Sequence, residues 1–211
     1  MKLEILDDPA AAVAELLTAA SGHVVLTGGS SPKRAYELAA GSDWSGKTVW
    51  FGDERCVPPD HEWSNYRMAD EALLSKLDPR PEVLRMEEAD AYEALVRERL
   101  GDEPRWDLLL LGLGPDSHTA SLFPGKPEVQ VRDRLVVGVP EAGMEPQVPR
   151  ITLTLPAINA ARHIVFLVTG ESKREAVRRA FGDEPDPTSP AAHVRPADGA
   201  LTVYLDRAAV P

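Results

Sequence analysis

The chain has 211 residues, of which 43% are apolar and 27% charged, and its formal net charge is −11 at pH 7. The single cysteine, Cys56, excludes a fold held by internal disulfides, and the acidic balance argues against general nucleic-acid binding. No apolar run approaches the ~20 residues of a membrane span, and no secretory pattern follows Met1. We therefore expect a cytoplasmic protein with neither nucleic-acid nor membrane partners.

Helices and strands alternate in the hydrophobic pattern. Alanine-rich or amphipathic stretches predict helices over 9–21, 32–40, 64–76, 88–100 and 171–181. Proline fits the first turn at Pro32, and Ser64 or Asn65 is a candidate N-cap for the third helix. Apolar runs predict strands over 23–29, 47–55, 105–114, 134–140, 150–156 and 161–170. Residues 185–199 are a proline-rich loop, and 201–209 predict a last strand with a short helix.

Strands that read as continuous apolar runs between helices indicate an α/β fold with a Rossmann-like, largely parallel sheet covered by helices on both faces. Because the chain shows neither an internal repeat nor a linker, residues 1–211 are predicted to form a single domain. Ligands of such sheets bind beyond the carboxyl ends of the strands, so the residues that follow strands are the first candidates for a site.

The first candidate is the turn "TGGSSP" after the strand at 23–29. Gly28 and Gly29 permit close backbone approach, Ser30 and Ser31 supply hydroxyls, and the next helix begins with unpaired N–H groups. This combination suits a phosphate, although a tight turn with a serine cap explains it equally well. No nucleotide is indicated, because neither the Walker lysine spacing nor G-x-G-x-x-G is present.

The second candidate is "DERC", which ends the stretch 47–55. Arg55 is able to hold a phosphate or carboxylate through two parallel hydrogen bonds, with Asp53 beside it. A local ion pair on the rim is the alternative. We expect Cys56 to be a small buried side chain, since no histidine is placed to activate it.

The third candidate is "GLGPDSHTASLFPG", residues 112–125, directly after the most apolar strand. The glycines, Gly114 among them, permit a sharp turn that presents His118 to a cleft. Histidine titrates near neutrality and is suited to accept a proton from water, and Asp116 is placed to orient the ring or a substrate hydroxyl. His118 and Asp116 are therefore the candidate catalytic residues, against the alternative of a histidine that only caps the following turn.

The fourth candidate is Lys173, in the first turn of the helix at 171–181. A cation there opposes the helix dipole unless both share a bound anion, and a solvated surface lysine is the alternative. The other histidines (His23, His61, His163 and His193) follow no comparable turn and are interpreted as structural or solvent-facing. No histidine or carboxylate cluster has metal-ligand spacing, so no metal site is predicted.

Four stretches together resemble the 6-phosphogluconolactonases, in the right order and over nearly the whole chain. They are "LTGGSSPKRAYELA", "WFGDERCVPPDHEWSNYRMADEALL", "DLLLLGLGPDSHTASLFPG" and "RITLTLPAINAARHIVFLVTGESKREAV". The resemblance implies the fold of the sugar-phosphate isomerases and deaminases. It further implies hydrolysis of 6-phospho-D-glucono-1,5-lactone to 6-phosphogluconate, the second step of the oxidative pentose phosphate pathway, without metal or organic cofactor.

By the same resemblance, His118 is the general base, and Arg55 with the turn Gly28–Ser31 holds the substrate's phosphate. The chain departs from the family pattern at Ser117, where glycine is usual, at Ser31, where threonine is usual, and at Glu145, where a lysine is common. Arg150 or Lys173 is expected to replace the missing cation. Ser117 is a strained position if it needs a positive φ.

Two other functions fit the same fold. A glucosamine-6-phosphate deaminase is disfavoured because Phe123 stands where that family has a glutamate, and Arg55 where it has a tyrosine. A non-catalytic sugar-phosphate sensor is disfavoured because no helix-turn-helix segment accompanies the domain, and a pseudoenzyme stays open because of Ser117. The expected partner is a small sugar-phosphate lactone, and the expected state is a monomer or weak homodimer.

Overall fold

The computed structural model describes every residue from Met1 to Pro211. Ten strands form two sheets, and their bounds are β1 (Lys2–Ile5), β2 (Gly22–Leu26), β3 (Lys47–Phe51), β4 (Asp53–Arg55), β5 (Glu82–Val83), β6 (Leu108–Leu111), β7 (Val136–Val139), β8 (Arg150–Leu153), β9 (His163–Val168) and β10 (Ala200–Leu205). Six α-helices connect them: α1 (Pro9–Ala19), α2 (Ser30–Ala39), α3 (Asn65–Ala72), α4 (Ala89–Leu100), α5 (Leu155–Asn159) and α6 (Arg174–Phe181). No helix combines the length and apolar character needed to cross a bilayer.

The main sheet has seven strands in the order β1-β10-β9-β6-β2-β3-β5, and every neighbouring pair is parallel. This confirms the predicted α/β fold with a largely parallel sheet. The strand order reverses between β2 and β6, since the chain runs outward from β2 to β3 and β5, but from β6 to β9 and β10 on the other side. Right-handed crossovers on the two sides of such a switch point leave a crevice there, at the carboxyl ends of the strands.

A second sheet of three antiparallel strands, β4-β8-β7, corrects the prediction that 47–55 is one strand and that 134–140 and 150–156 extend the main sheet. Gly52 separates β3 from β4: its N–H donates to Leu26 of the main sheet, and its carbonyl accepts from Leu153 of the small sheet. An apolar run predicts a strand but carries no information on which sheet the strand joins.

Strand β1 has no counterpart among the predicted strands. It lies at one edge of the main sheet, and three of its four residues are exposed, so its sequence "KLEI" lacks the apolar character of a central strand. Two predicted helices are shorter than expected because part of each is a 3₁₀ turn: Leu74–Lys76 follows α3, and Glu171–Lys173 precedes α6.

The core is a single continuous cluster of 53 buried apolar residues. A separate small cluster contains Phe123, Val139 and Ala142, with Met144 packed against it. One buried carboxylate, Glu93 of α4, ties that helix to the start of the small sheet, because it accepts from the N–H of Leu135 and from the guanidinium groups of Arg97 and Arg134. Helix α4 is therefore fixed to the segment that leads into the small sheet.

Candidate active site

A cavity of about 440 Å³ opens at the carboxyl ends of β2 and β6, at the switch point of the main sheet. Its wall contains every residue predicted for the site except Asp116: Gly28, Gly29, Ser30, Ser31, Asp53, Arg55, Gly114, His118, Arg150 and Lys173. The structure therefore brings together side chains from both sheets that are distant in sequence. Asp116 lies behind His118 rather than in the wall.

The loop after β6 presents the imidazole because its backbone folds back on itself. The N–H of Gly114 donates to the carbonyl of His118 at 2.9 Å, and the N–H of Ser117 donates to the carbonyl of Gly114 at 2.9 Å. Gly114 has no side chain for a steric reason, since a Cβ there would lie 2.0 Å from Nδ1 of His118. The bond from Gly114 also occupies an N–H group that would otherwise be a candidate donor to a developing oxyanion.

Ser117 has φ of 69°, which explains why glycine is usual at this position. A left-handed conformation costs a residue with a side chain roughly 1–2 kcal/mol. The strain is held in place because Ser117 is fully buried, its hydroxyl donates to the carbonyl of Asp116, and its own carbonyl accepts from Ala191. The substitution therefore leaves the loop in the conformation that a glycine would adopt.

The imidazole of His118 is oriented by Asp116. One carboxylate oxygen lies 2.6 Å from Nδ1 of His118 and also accepts the backbone N–H of His118 at 3.1 Å. Burial raises the pKa of Asp116, but its hydrogen bonds and charge interaction with His118 outweigh burial and leave that pKa below its usual value. An ionised Asp116 accepts a proton-bearing Nδ1, so Nε2 of a neutral ring keeps its lone pair.

Two arginines meet on the small sheet. Arg55 of β4 and Arg150 of β8 are direct partners in the antiparallel ladder, so their side chains lie close together at the cavity. Arg150 is only 3% exposed, and burial together with the charge of Arg55 lowers its pKa. The Nε atoms of both guanidinium groups are buried without a hydrogen-bond partner. Two like charges with unused donors in one cavity give this part of the wall the chemistry that suits an anion.

Arg150 and Arg55 are each held by backbone carbonyls. Nη2 of Arg150 donates to Met144 and Pro146 at 3.2 and 2.9 Å, and Nη1 of Arg55 donates to Trp63 at 2.6 Å. Neither arginine forms a salt bridge, because the carboxylates nearest to them are used elsewhere. The predicted rim ion pair of Arg55 is therefore absent from the structure, and the guanidinium groups keep donors for a ligand.

Asp53 lies at the centre of a buried hydrogen-bond network. Its carboxylate accepts from the hydroxyl of Ser121 at 2.7 Å and from the amide of Asn65 at 3.2 Å, and Asn65 also donates to the backbone carbonyl of Asp53. Asn65 reaches the cavity past Gly28, where a Cβ would lie 1.8 Å from its amide oxygen. The glycine is therefore required for the close approach of α3.

The turn after β2 leads into α2 with Gly29 as N-cap (φ 106°), and no side chain caps the helix. Ser31 instead bonds Thr169, oxygen to oxygen at 2.6 Å, which joins this turn to the end of β9. Lys173, half-buried on the same side, has its pKa lowered by burial, an effect that the charge of Asp116 partly opposes. The serine-cap alternative is thus wrong for α2, whose first N–H groups stay available beside the cavity.

Sequence reasoning missed several residues of the cavity wall, among them Asn65, Met144, Thr169 and Ser172. The position of Asn65 suggests only a helix cap. Thr169 and Ser172 lie near the glycine that follows β9, and the same pattern of a glycine and hydroxyl residues after a strand indicates Ser31. Cys56 is exposed rather than buried, and it lines a second, smaller depression beside Arg55. Glu145 is exposed and lies outside the wall, and none of the other four histidines reaches it.

The structure brings no three histidine, cysteine, aspartate or glutamate side chains together as a group that could hold a metal. Comparison with known sequences then decides the family. Residues 4–203 match the model of glucosamine-6-phosphate isomerases/6-phosphogluconolactonase. The chain belongs to this family.

Individual members of the glucosamine-6-phosphate isomerase/6-phosphogluconolactonase family are similar over most of their length. The chain is 42% identical over 204 residues to a 6-phosphogluconolactonase of Synechocystis, covering 89% of this chain and 83% of the relative. It is 44% identical over 172 residues to that of Rattus norvegicus, covering 77% and 66%. The crystal structure of 6-phosphogluconolactonase from Leishmania guyanensis superposes with a TM-score of 0.87 at 28% identity, covering 99% of this chain and 97% of the other.

The same fold is found in a glucosamine-6-phosphate deaminase. A monomeric glucosamine-6-phosphate deaminase superposes with a TM-score of 0.82 at 20% identity, covering 99% of this chain and 98% of the other. At that identity the likeness concerns the fold alone. The fold is therefore common to lactonases and deaminases and does not distinguish between the two activities.

Proposed function

We propose that this protein is a lactone hydrolase that converts 6-phospho-D-glucono-1,5-lactone to 6-phospho-D-gluconate. The observation that carries the proposal is that His118, oriented by Asp116, shares one cavity with the paired guanidinium groups of Arg55 and Arg150. A base and an anion-binding site in one pocket are what hydrolysis of a phosphorylated ester requires. The names of the relatives, at about 40% identity, support the same substrate.

In the proposed mechanism, Nε2 of His118 accepts a proton as water attacks C1 of the lactone. The lactone is an activated ester, so its hydrolysis needs no stronger nucleophile than water. A positioned general base typically accelerates such a reaction ~10²–10⁴-fold. The protonated imidazole, stabilised by Asp116, then returns the proton to the ring oxygen as the C1–O bond breaks. Arg55, Arg150 and the N-terminus of α2 bind the phosphate far from C1, and Lys173 adds a cation. Gly28 to Ser31 form the backbone of this phosphate site.

Asp53 is assigned to the sugar rather than to the phosphate. Asp53 is 5% exposed and lines the cavity next to Asn65, and its carboxylate is assigned to accept a hydroxyl of the substrate. The deaminase alternative gains no support from the geometry, because Phe123 is an apolar ring packed against His118 and supplies no acid. The cytoplasmic location, the monomeric or weakly dimeric state and the lack of a nucleic-acid partner stay predictions.

The test is hydrolysis of freshly prepared 6-phospho-D-glucono-1,5-lactone, measured above its spontaneous rate. We expect His118→Ala to lower kcat by about 10²–10⁴-fold while the folded structure is retained. Near-normal turnover by His118→Ala would remove the histidine from the mechanism. Lack of turnover by the wild-type protein, with the correct fold, would refute the function itself.

A further inference from the structure

The side chain of Phe123 is 1% exposed but does not belong to the main core. It packs instead in the small cluster with Val139 and Ala142, against which Met144 is placed. This cluster lies beside the cavity and supports the segment that precedes β8. Phe123 does not itself line the cavity, so it is not a substrate ligand.

The ring of Phe123 contacts both functional halves of the site. Its centroid lies 4.7 Å from that of the His118 imidazole, with the two planes tilted by 44°. The guanidinium carbon of Arg150 lies 5.6 Å from the same centroid, within the range of a cation–π interaction. One rigid side chain is therefore in contact with both the base and the anion-binding arginine.

The ring of Phe123 is also in close contact with the backbone at Gly143. A Cβ at Gly143 would lie 2.8 Å from three atoms of Phe123, so the backbone of this segment packs directly on the ring. The same segment provides the carbonyls of Met144 and Pro146 that accept from Arg150. Phe123, the segment 143–146 and the guanidinium of Arg150 thus form one packed unit, and His118 contacts the ring of Phe123 in this unit.

We propose that Phe123 is a positioning residue that sets the spacing between the His118 imidazole and the Arg150 guanidinium. The inference rests on the proposed function, since it assumes that the two groups act on one substrate. A phosphate bound by Arg150 orients C1 toward His118 only if this spacing is constant. A smaller, flexible side chain at 123 lets the imidazole move relative to the bound phosphate, and a misplacement of about 1 Å is enough to cost roughly 10²-fold in rate.

The test compares Phe123→Leu with Phe181→Leu. Phe181 is a matched control, because it is a buried phenylalanine with an aromatic partner, Phe166, and it does not line the cavity. For Phe123→Leu we expect kcat for 6-phospho-D-glucono-1,5-lactone to fall by about 10–100-fold, while the inhibition constant of 6-phosphogluconate changes by less than about threefold. Phe181→Leu should keep both within about twofold, although its melting temperature also falls.

Each outcome bears on the proposal. An unchanged kcat in folded Phe123→Leu, or an equal loss of kcat in Phe181→Leu, would overturn it. If Phe123→Leu does not fold, Phe123→Met is measured in the same way, because methionine keeps most of the volume without the rigid ring. A wild-type protein inactive on the lactone would instead refute the proposed function, which separates the two failures.

Discussion

Substitution of Gly114 by alanine tests whether the position of the His118 ring governs the reaction. An added Cβ would lie 2.0 Å from Nδ1 of His118, 2.2 Å from its Cε1 and 2.7 Å from a carboxylate oxygen of Asp116. The φ of Gly114 is not in the left-handed region, so alanine introduces no backbone strain. The new methyl group therefore acts almost entirely on the imidazole and the carboxylate that orients it.

The size of the effect follows from the contact distances. Ordinary van der Waals contact begins near 3.4 Å, so the ring has to retreat by about 1.4 Å, and a displacement of about 1 Å costs roughly 10²-fold in rate. We expect Gly114→Ala to lower kcat by about 10²-fold or more. The KM should change little, because Arg55 and Arg150 lie on the other sheet.

The assay is steady-state hydrolysis of 6-phospho-D-glucono-1,5-lactone with the spontaneous rate subtracted, alongside thermal unfolding of the same samples. Gly138→Ala is the matched control, because Gly138 is an exposed glycine of β7 where an added Cβ would meet no atom within 4 Å, and we expect its kcat to be unchanged. A folded Gly114→Ala variant with kcat within about threefold of wild type would refute the reasoning that this glycine exists to make room for the imidazole.

Three further outcomes are expected. Inorganic phosphate at 100 times its Kd should stabilise the wild type by about 2.7 kcal/mol, seen as a rise in melting temperature, and Arg150→Met should reduce this response. Because Arg150→Met also removes the donors to Met144 and Pro146, each variant is compared with itself with and without phosphate. A full response in Arg150→Met contradicts the anion site. Asp116→Asn should lower kcat in the lactone assay about 10–100-fold with little change in KM, because the ionised partner of His118 is lost. A rise in KM as large as the fall in kcat would point to a role in substrate binding instead. Glu93→Gln should destabilise the protein by about 2–3 kcal/mol at pH 7 in urea unfolding, because two arginines and an N–H lose their charged acceptor.

The pH dependence of the Glu93 effect has a definite sign. Burial raises the pKa of Glu93, but hydrogen bonds from Leu135, Arg134 and Arg97 outweigh it, so the folded-state pKa lies below the ordinary 4.5. A depressed carboxylate pKa contributes stability that is present above the unfolded-state value and is lost as the pH falls through the folded-state value. The difference between wild type and Glu93→Gln should therefore shrink below about pH 4.5 and stay constant from about pH 6 to 8.

The sequence indicated the main sheet because its central strands, such as β6 and β9, are buried on both faces and consist almost entirely of apolar residues. It did not indicate the small sheet, because "VVGV" and "RITL" are as apolar as parallel strands, and strand direction leaves no mark in composition. The edge strand β1 escaped prediction for the opposite reason, since half of "KLEI" is charged.

The cavity wall was anticipated best in the loops that follow strands of the main sheet. His118 and the turn Gly28–Ser31 both meet that condition, and both line the cavity. Arg55 was placed in the site, but its pairing with Arg150 depends on the ladder between β4 and β8, which no local pattern encodes. Asn65 was missed because its position at the start of a helix suggested a cap. Its amide instead donates to the carboxylate of Asp53, 12 residues earlier in the chain.

The two sheets divide the work of the cavity. The parallel sheet carries the imidazole on the loop after β6, and the antiparallel sheet carries both guanidinium groups on β4 and β8. Under the proposed function, the base and the paired arginines therefore reach the cavity from different sheets, and the ring of Phe123 contacts both His118 and Arg150. Under the proposed function, redesign of the β7–β8 hairpin is a route to lactones that bear a different acidic group, provided that the packing of the 143–146 segment on Phe123 is kept, because the same ring contacts His118.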